Sequence, residues 1–283
     1  MKYALDPLDG RTRLLPEKGK TGLCPVCRDV LIPKCGTKRL HHWAHRSLIV
    51  CDPWWENETE WHRRWKNAYP EAWQEVICYD ASTGEKHVAD VKTDKGLVLE
   101  FQHSALADDE RRSREAYYRN MIWVVDIRRL KRASRNFETI VSTRQRAYLG
   151  LRDWQATLGQ APWCTFLPSV VGIPEEWSSS SVPVVFDLTD YDDDHASTGT
   201  QPTLWCLLPE NDVHIDQSRL PVGARVLMPL TRDQFIQFTQ DGGSLLAPPV
   251  PQPIIPNRRN TLPRSESDRQ AIKRAGGKGA RHL

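Results

Sequence analysis

Two groups of side chains in this 283-residue sequence are equipped for chemistry, and both lie toward its N-terminus. In the first group, Asp90 closes the largely apolar run His87-Val88-Ala89-Asp90, and Glu100 sits inside Val98-Leu99-Glu100-Phe101-Gln102. A carboxylate within an apolar strand is costly to desolvate unless something pairs with it. Side chains alternate along a strand, so Glu100 and Gln102 share one face while Leu99 and Phe101 take the other. If Asp90 lies across from Glu100 in a hairpin, two carboxylates converge on one point. Hard oxygen ligands hold Mg²⁺ or Mn²⁺ in this way and leave positions open for phosphate and water. The plain alternative is an edge-strand pair with an ordinary polar outer face.

The second group is Cys24-Pro25-Val26-Cys27 with His42-Trp43-Ala44-His45, two close pairs suited to tetrahedral Zn²⁺. Cys35, Cys51 and His41 are spare ligands nearby. With four protein ligands such a site is closed and structural, a staple for a segment too small to hold a core of its own. Seven cysteines cannot all pair within one chain, and their crowding near the N-terminus points to metal ligation in a reducing cytosol.

Several elements must position these groups. Trp54 to Ala68 reads as a helix stopped before Pro70, with Glu58, His62 and Lys66 on one stripe and Trp54, Trp61 and Trp65 on another. Glu75 to Tyr79 reads as a strand, and His87–Val91 with Leu97–Gln102 as a hairpin across Thr93-Asp94-Lys95-Gly96. Asp108 to Asn120 has helical spacing with acids at its start. On it Glu110, Arg114 and Tyr118 recur every fourth residue, so Arg114 and Tyr118 either engage a phosphate backbone or leave Arg114 paired with Glu110. Met121 to Val125 is a buried strand. The order α-β-β-β-α-β implies a small mixed sheet flanked by helices, an α/β (α+β) fold.

By composition the chain divides into residues 1–52, 53–155, 156–247 and 248–283. The third part carries strands at Val182–Asp187 and Thr203–Leu208 and a helix capped by Thr231; it either extends the sheet or forms a unit for protein partners. The last part is Pro-rich at its start, poor in apolar residues and basic from Arg258 to Arg281, and is expected to be disordered. It carries the excess of Lys+Arg (39) over Asp+Glu (36), which leaves the body mildly acidic. No apolar run approaches the roughly 20 residues of a membrane span, and the start lacks the features of a secretory signal. A cytoplasmic protein with no membrane partner is expected.

The ordered series Cys24-Pro25-Val26-Cys27, His42-Trp43-Ala44-His45, Glu58-Thr59 with His62 and Lys66, Val88-Ala89-Asp90-Val91, and Leu99-Glu100-Phe101-Gln102-His103-Ser104 resembles the CoiA-like competence proteins with an N-terminal zinc knuckle. The resemblance covers about residues 1–130 and implies a PD-(D/E)xK restriction-endonuclease-like core of the order read above. It implies Asp90 and Glu100 as ligands of Mg²⁺ or Mn²⁺, Glu58 and His62 facing the site, and Gln102 in place of the superfamily's usual lysine. A neutral amide orients water but supplies no positive charge to a phosphoryl transition state, so that charge is expected from Lys66, from Arg114 or from a second metal ion. His62 is then a general base or a DNA contact. The implied activity is metal-dependent DNA cleavage in competence, recombination or phage defence, with DNA as partner. A non-catalytic DNA-binding or adaptor protein on a degenerate nuclease fold is the other expectation. An HNH-type nuclease, raised by the doubled His41-His42, lacks the downstream Asn and His that it needs.

Overall fold

The computed structural model describes residues 1–46, 51–129, 131, 134–135, 164–166, 175–189, 203–210 and 225–242. They fall within one compact unit, Met1–Val250, and the basic tail expected past Pro248 lies outside the described residues.

Short antiparallel strands open the chain: β1 (Ala4–Leu5), β2 (Arg13–Leu14), β3 (Gly22–Leu23), β4 (Val30–Lys34) and β5 (His42–His45), in the order β2-β1-β3-β4-β5. Their shared core is small, built on Ala4, Cys24, Leu31 and Trp43. Gly22 is required where β3 pairs with β1, since a Cβ there would meet the Cβ of Ala4 at 2.4 Å.

The elements that follow are α1 (Glu60–Lys66), β6 (Gln74–Tyr79), β7 (Lys86–Lys92), β8 (Val98–Gln102), α2 (Asp108–Tyr118) and β9 (Met121–Asp126), which is the expected α-β-β-β-α-β order. The hairpin closes where expected, with Gly96 at φ +81° and its N–H on Thr93 O. Helix α1 is shorter than the sequence suggests. Thr59 and His62 form a capping box that fixes its start, so Trp54 and Glu58 precede the helix and do not share its stripes.

Chain order continues with β10 (Cys164–Phe166), α3 (Glu175–Ser178), β11 (Val184–Asp187), β12 (Leu204–Leu207), β13 (Arg225–Leu230) and α4 (Arg232–Gln240). These strands join the same sheet, ordered β10-β13-β12-β11-β9-β8-β7-β6. Strand β9 runs parallel to both β8 and β11, and the remaining pairs are antiparallel. The compositional break near residue 155 is therefore no boundary in the packing. On one face Trp61, Trp65, Phe101 and Val124 pack with Leu204, Met228 and Phe235; on the other Met121 and Trp123 pack with Trp177, Val184 and Phe186. Helices cover both faces of a mixed sheet, giving an α+β protein with two sheets. Asp187 ties the halves together, because its buried carboxylate accepts both indole N–H groups of Trp61 and Trp65 at 2.9 Å. No helix among the described residues is long and apolar enough to cross a membrane.

Candidate functional site

Cys24, Cys27, His45 and Cys51 bring one ligand atom each to within 4.8 Å of one another, the one such His/Cys/Asp/Glu group of three or more among the described residues. The Sγ atoms of Cys24 and Cys51 lie 3.6 Å apart, and Cys27 Sγ lies 3.3 Å from His45 Nε2. A tetrahedron with zinc–sulfur bonds of about 2.3 Å has sulfur–sulfur edges of about 3.8 Å, so the donor set fits Zn²⁺ in both chemistry and spacing. Burial pushes the Cys24 and Cys51 thiols up, and Cys51 is pushed further by the neighbouring Cys24. A divalent cation relieves that crowding.

This corrects the expected ligand set at one position. His42 and His45 stand three residues apart on β5, and a strand turns residues at odd spacing to opposite faces. His45 faces the thiols, whereas His42 Nδ1 lies 2.8 Å from the carbonyl of Leu40. Cys51 completes the cluster instead. Cys35 and His41 also lie outside it.

The acidic pair sits where two backbone ladders break. Pairing of β6 with β7 steps from Gln74↔Val91 to Val76↔Ala89, and the intervening Glu75 takes φ +47°, a conformation rare for a side chain this size. Pairing of β7 with β8 runs over Lys92↔Val98 and Val91↔Leu99. One residue further the carboxylates take over the freed donors: Asp90 N donates to Glu100 Oε1 at 3.3 Å, and Phe101 N to Asp90 Oδ2 at 3.0 Å. With the backbone pairing interrupted there, the acidic side chains face a cavity of about 310 Å³. Glu58, His62, Lys66, Glu75, Asp90, Glu100 and Arg114 line it from the core side; Trp43, His45 and Cys51 line it from the metal side.

Lys66 is buried at the centre of this charge set. Its Nζ lies 2.9 Å from Glu58 Oε1, 3.0 Å from Glu75 Oε1 and 3.5 Å from Asp90 Oδ1. Burial opposes its charge, but Glu75, Asp90 and Glu58 outweigh that and hold its pKa above the usual lysine range. Glu75 works against the same burial; the Lys66 charge and the N–H of Lys2 hold its carboxyl down at about 2. Glu100 goes the other way. Burial first and the Asp90 charge second push it up to about 8, although Arg114 Nη1 stands 3.2 Å away. A buried carboxyl held neutral in this way is one whose charged form a further cation would stabilise.

The expected DNA contacts turn inward. Lys66 serves three carboxylates, and Arg114 is held by Glu110, Glu100 and the carbonyl of Trp54. Tyr118 packs beside Trp54 and Tyr117, and burial raises its pKa. A buried cation that reached out to phosphate would strand the acids it neutralises. Gln102 is buried too, its amide donating to Ser104 O at 3.1 Å, and does not line the cavity. His62 does line it. The backbone N–H of Thr59 can only donate, so Nδ1 accepts it at 3.2 Å and Nε2 carries the proton. That Nε2 is buried without a hydrogen-bond partner, 3.6 Å from Glu56 Oε2.

Glu56, Asp52 and Glu75 are functional neighbours that the pattern of types and spacing passes over. Glu75 reads as the first residue of an ordinary strand, and Glu56 as a residue of the expected helix that lies on neither stripe. Their partners, Lys2, His87 and Ser104, are distant in sequence.

Residues 12–53 match the family model of the N-terminal domain of the competence protein CoiA. The match spans Cys24, Cys27, His45 and Cys51, and the resemblance read from the sequence holds over this element. No curated protein and no solved structure matches the chain.

Proposed function

We propose, taking the CoiA N-terminal domain at residues 12–53 as premise, that this protein is a metal-dependent DNA phosphodiesterase with a role in competence or related DNA processing, such as recombination or phage defence. The observation that carries the reading is the convergence of Asp90 and Glu100 at a broken strand ladder, beside a buried lysine, on a cavity wall. Asp90 and Glu100 would hold a Mg²⁺ or Mn²⁺ ion, with Glu58 assisting. Such an ion polarises a phosphoryl oxygen and acidifies a bound water.

The remaining work falls to the chain's own side chains. Lys66 supplies the positive charge that Gln102 lacks, and its contact to Asp90 at 3.5 Å is the loosest of its three. His62 presents a neutral Nε2–H as a hydrogen-bond donor to a phosphate oxygen. On this reading the α-β-β-β-α-β order and the splayed β7–β8 pair support a PD-(D/E)xK-like core.

One observation favours a second reading, a non-catalytic DNA-binding or adaptor protein. Lys66 and Arg114 already neutralise the acidic residues within the protein. Incubation of plasmid and single-stranded DNA with the zinc-loaded protein and Mg²⁺ or Mn²⁺ separates the two. Cleavage lost in Asp90→Asn and Glu100→Gln supports the enzyme. Salt-sensitive DNA binding without cleavage by the wild type supports the adaptor.

A further inference from the structure

Residues 51–59 join the two sites and belong to no helix or strand. The first of them, Cys51, belongs to the Cys24–Cys27–His45–Cys51 cluster; the last, Thr59, caps α1. The residues between them brace the frame of the acidic cavity. Asp52 Oδ1 lies 2.9 Å from His87 Nδ1, and its Oδ2 accepts Val88 N at 2.9 Å, two residues before Asp90 on β7. The carbonyl of Trp54 accepts Arg114 Nη2 at 2.8 Å, and that guanidinium holds Glu100. Glu56 Oε1 accepts Ser104 N at 2.7 Å, just past the end of β8. Glu58 pairs with Lys66 and Arg63.

We propose that metal capture by Cys24, Cys27, His45 and Cys51 anchors this strap and thereby assembles the acidic cavity, so that metal occupancy controls whether Asp90, Glu100 and Lys66 are held in place. A segment without helix or strand loses backbone entropy on ordering, and a handful of hydrogen bonds offsets only part of that. Fixing Cys51 supplies the missing restraint, because metal binding is drawn from the same free energy as folding. The residues just before β1 add a second link, since Lys2 N and Tyr3 N both donate to the Glu75 carboxylate that holds Lys66. The inference rests on the zinc reading of the cluster and is independent of the hydrolytic one, because its test measures no cleavage.

Hydrogen exchange followed by mass spectrometry on the full chain, zinc-loaded, chelated and reloaded, decides the matter. Chelation is expected to speed exchange roughly tenfold or more in peptides covering 51–66 and 86–104, to leave those covering 184–187 and 204–207 unchanged, and to reverse on zinc addition. Asp52→Ala is expected to retain zinc, by inductively coupled plasma measurement, while exchange around Val88 accelerates. The proposal is overturned if the wild type binds no zinc, if chelation loosens only residues 1–46, or if it unfolds the whole sheet at once. It is likewise overturned if Asp52→Ala exchanges like the wild type.

Discussion

Replacing Lys66 with methionine keeps the unbranched apolar stem of the side chain and deletes an ammonium that lies within 3.5 Å of Glu58, Glu75 and Asp90. All three acids keep their places on the cavity wall, and Glu58 and Glu75 are almost wholly shielded from water. Breaking a buried pair by removing one partner costs about 3–5 kcal/mol, mostly from the charges left behind. In a unit of this size, Met1–Val250, each kcal/mol moves the melting temperature by about 2–4 °C, so Lys66→Met is expected to melt roughly 6–20 °C below the wild type. The same substitution frees carboxylate oxygens for another cation. Thermal scans with Mn²⁺ present are therefore expected to recover part of the loss in Lys66→Met and to shift the wild type less. A destabilisation under about 1 kcal/mol would show that the charge set is solvent-screened, contrary to its burial. An equal loss with and without Mn²⁺ would show that these acids do not bind a cation.

Other consequences follow from the same geometry. Glu75 is held at about 2 against an ordinary 4.5, so its contribution, about 3 kcal/mol, is present above pH 4.5 and lost as pH falls toward 2. Glu100, raised to about 8, behaves oppositely: its contribution is full below pH 4.5 and fades as pH rises through 8. Urea unfolding across this range is expected to flatten at the acid end in Glu75→Gln and at the alkaline end in Glu100→Gln. Purified Cys51→Ser is expected to lose its zinc and His42→Ala to keep it, as measured by metal analysis; the reverse would restore the ligand set read from spacing alone. Asp187→Ala strands two buried indole N–H groups at about 1–3 kcal/mol each, and a loss of at least about 2 kcal/mol is expected in urea unfolding.

The β7–β8 hairpin was legible because period-two alternation and an Asp–Lys–Gly turn are local signals, and they carried Asp90 and Glu100 with them. The zinc element was legible by type but not in full by position. Spacing shows that His42 and His45 form a close pair; only the strand geometry of β5 shows that they cannot face one way. The sequence suggests a longer α1 because an apolar and aromatic pattern runs through Trp54, while the start is set by the Thr59–His62 capping box. The joining of β11 to β9 has no local signature, since a parallel pairing forms between segments far apart in sequence. Glu75 escaped notice for a similar reason. Its role comes from Lys2 and Tyr3, and from a positive φ that no periodicity encodes.

Whether Asp90 and Glu100 accept a divalent ion is read directly by electron paramagnetic resonance of Mn²⁺ added to the zinc-loaded protein. Wild type is expected to deplete the free-ion signal, more strongly as pH rises and Glu100 ionises, while Asp90→Asn and Glu100→Gln leave most of it in solution. No depletion by the wild type, or the same depletion by all three proteins, would contradict the account.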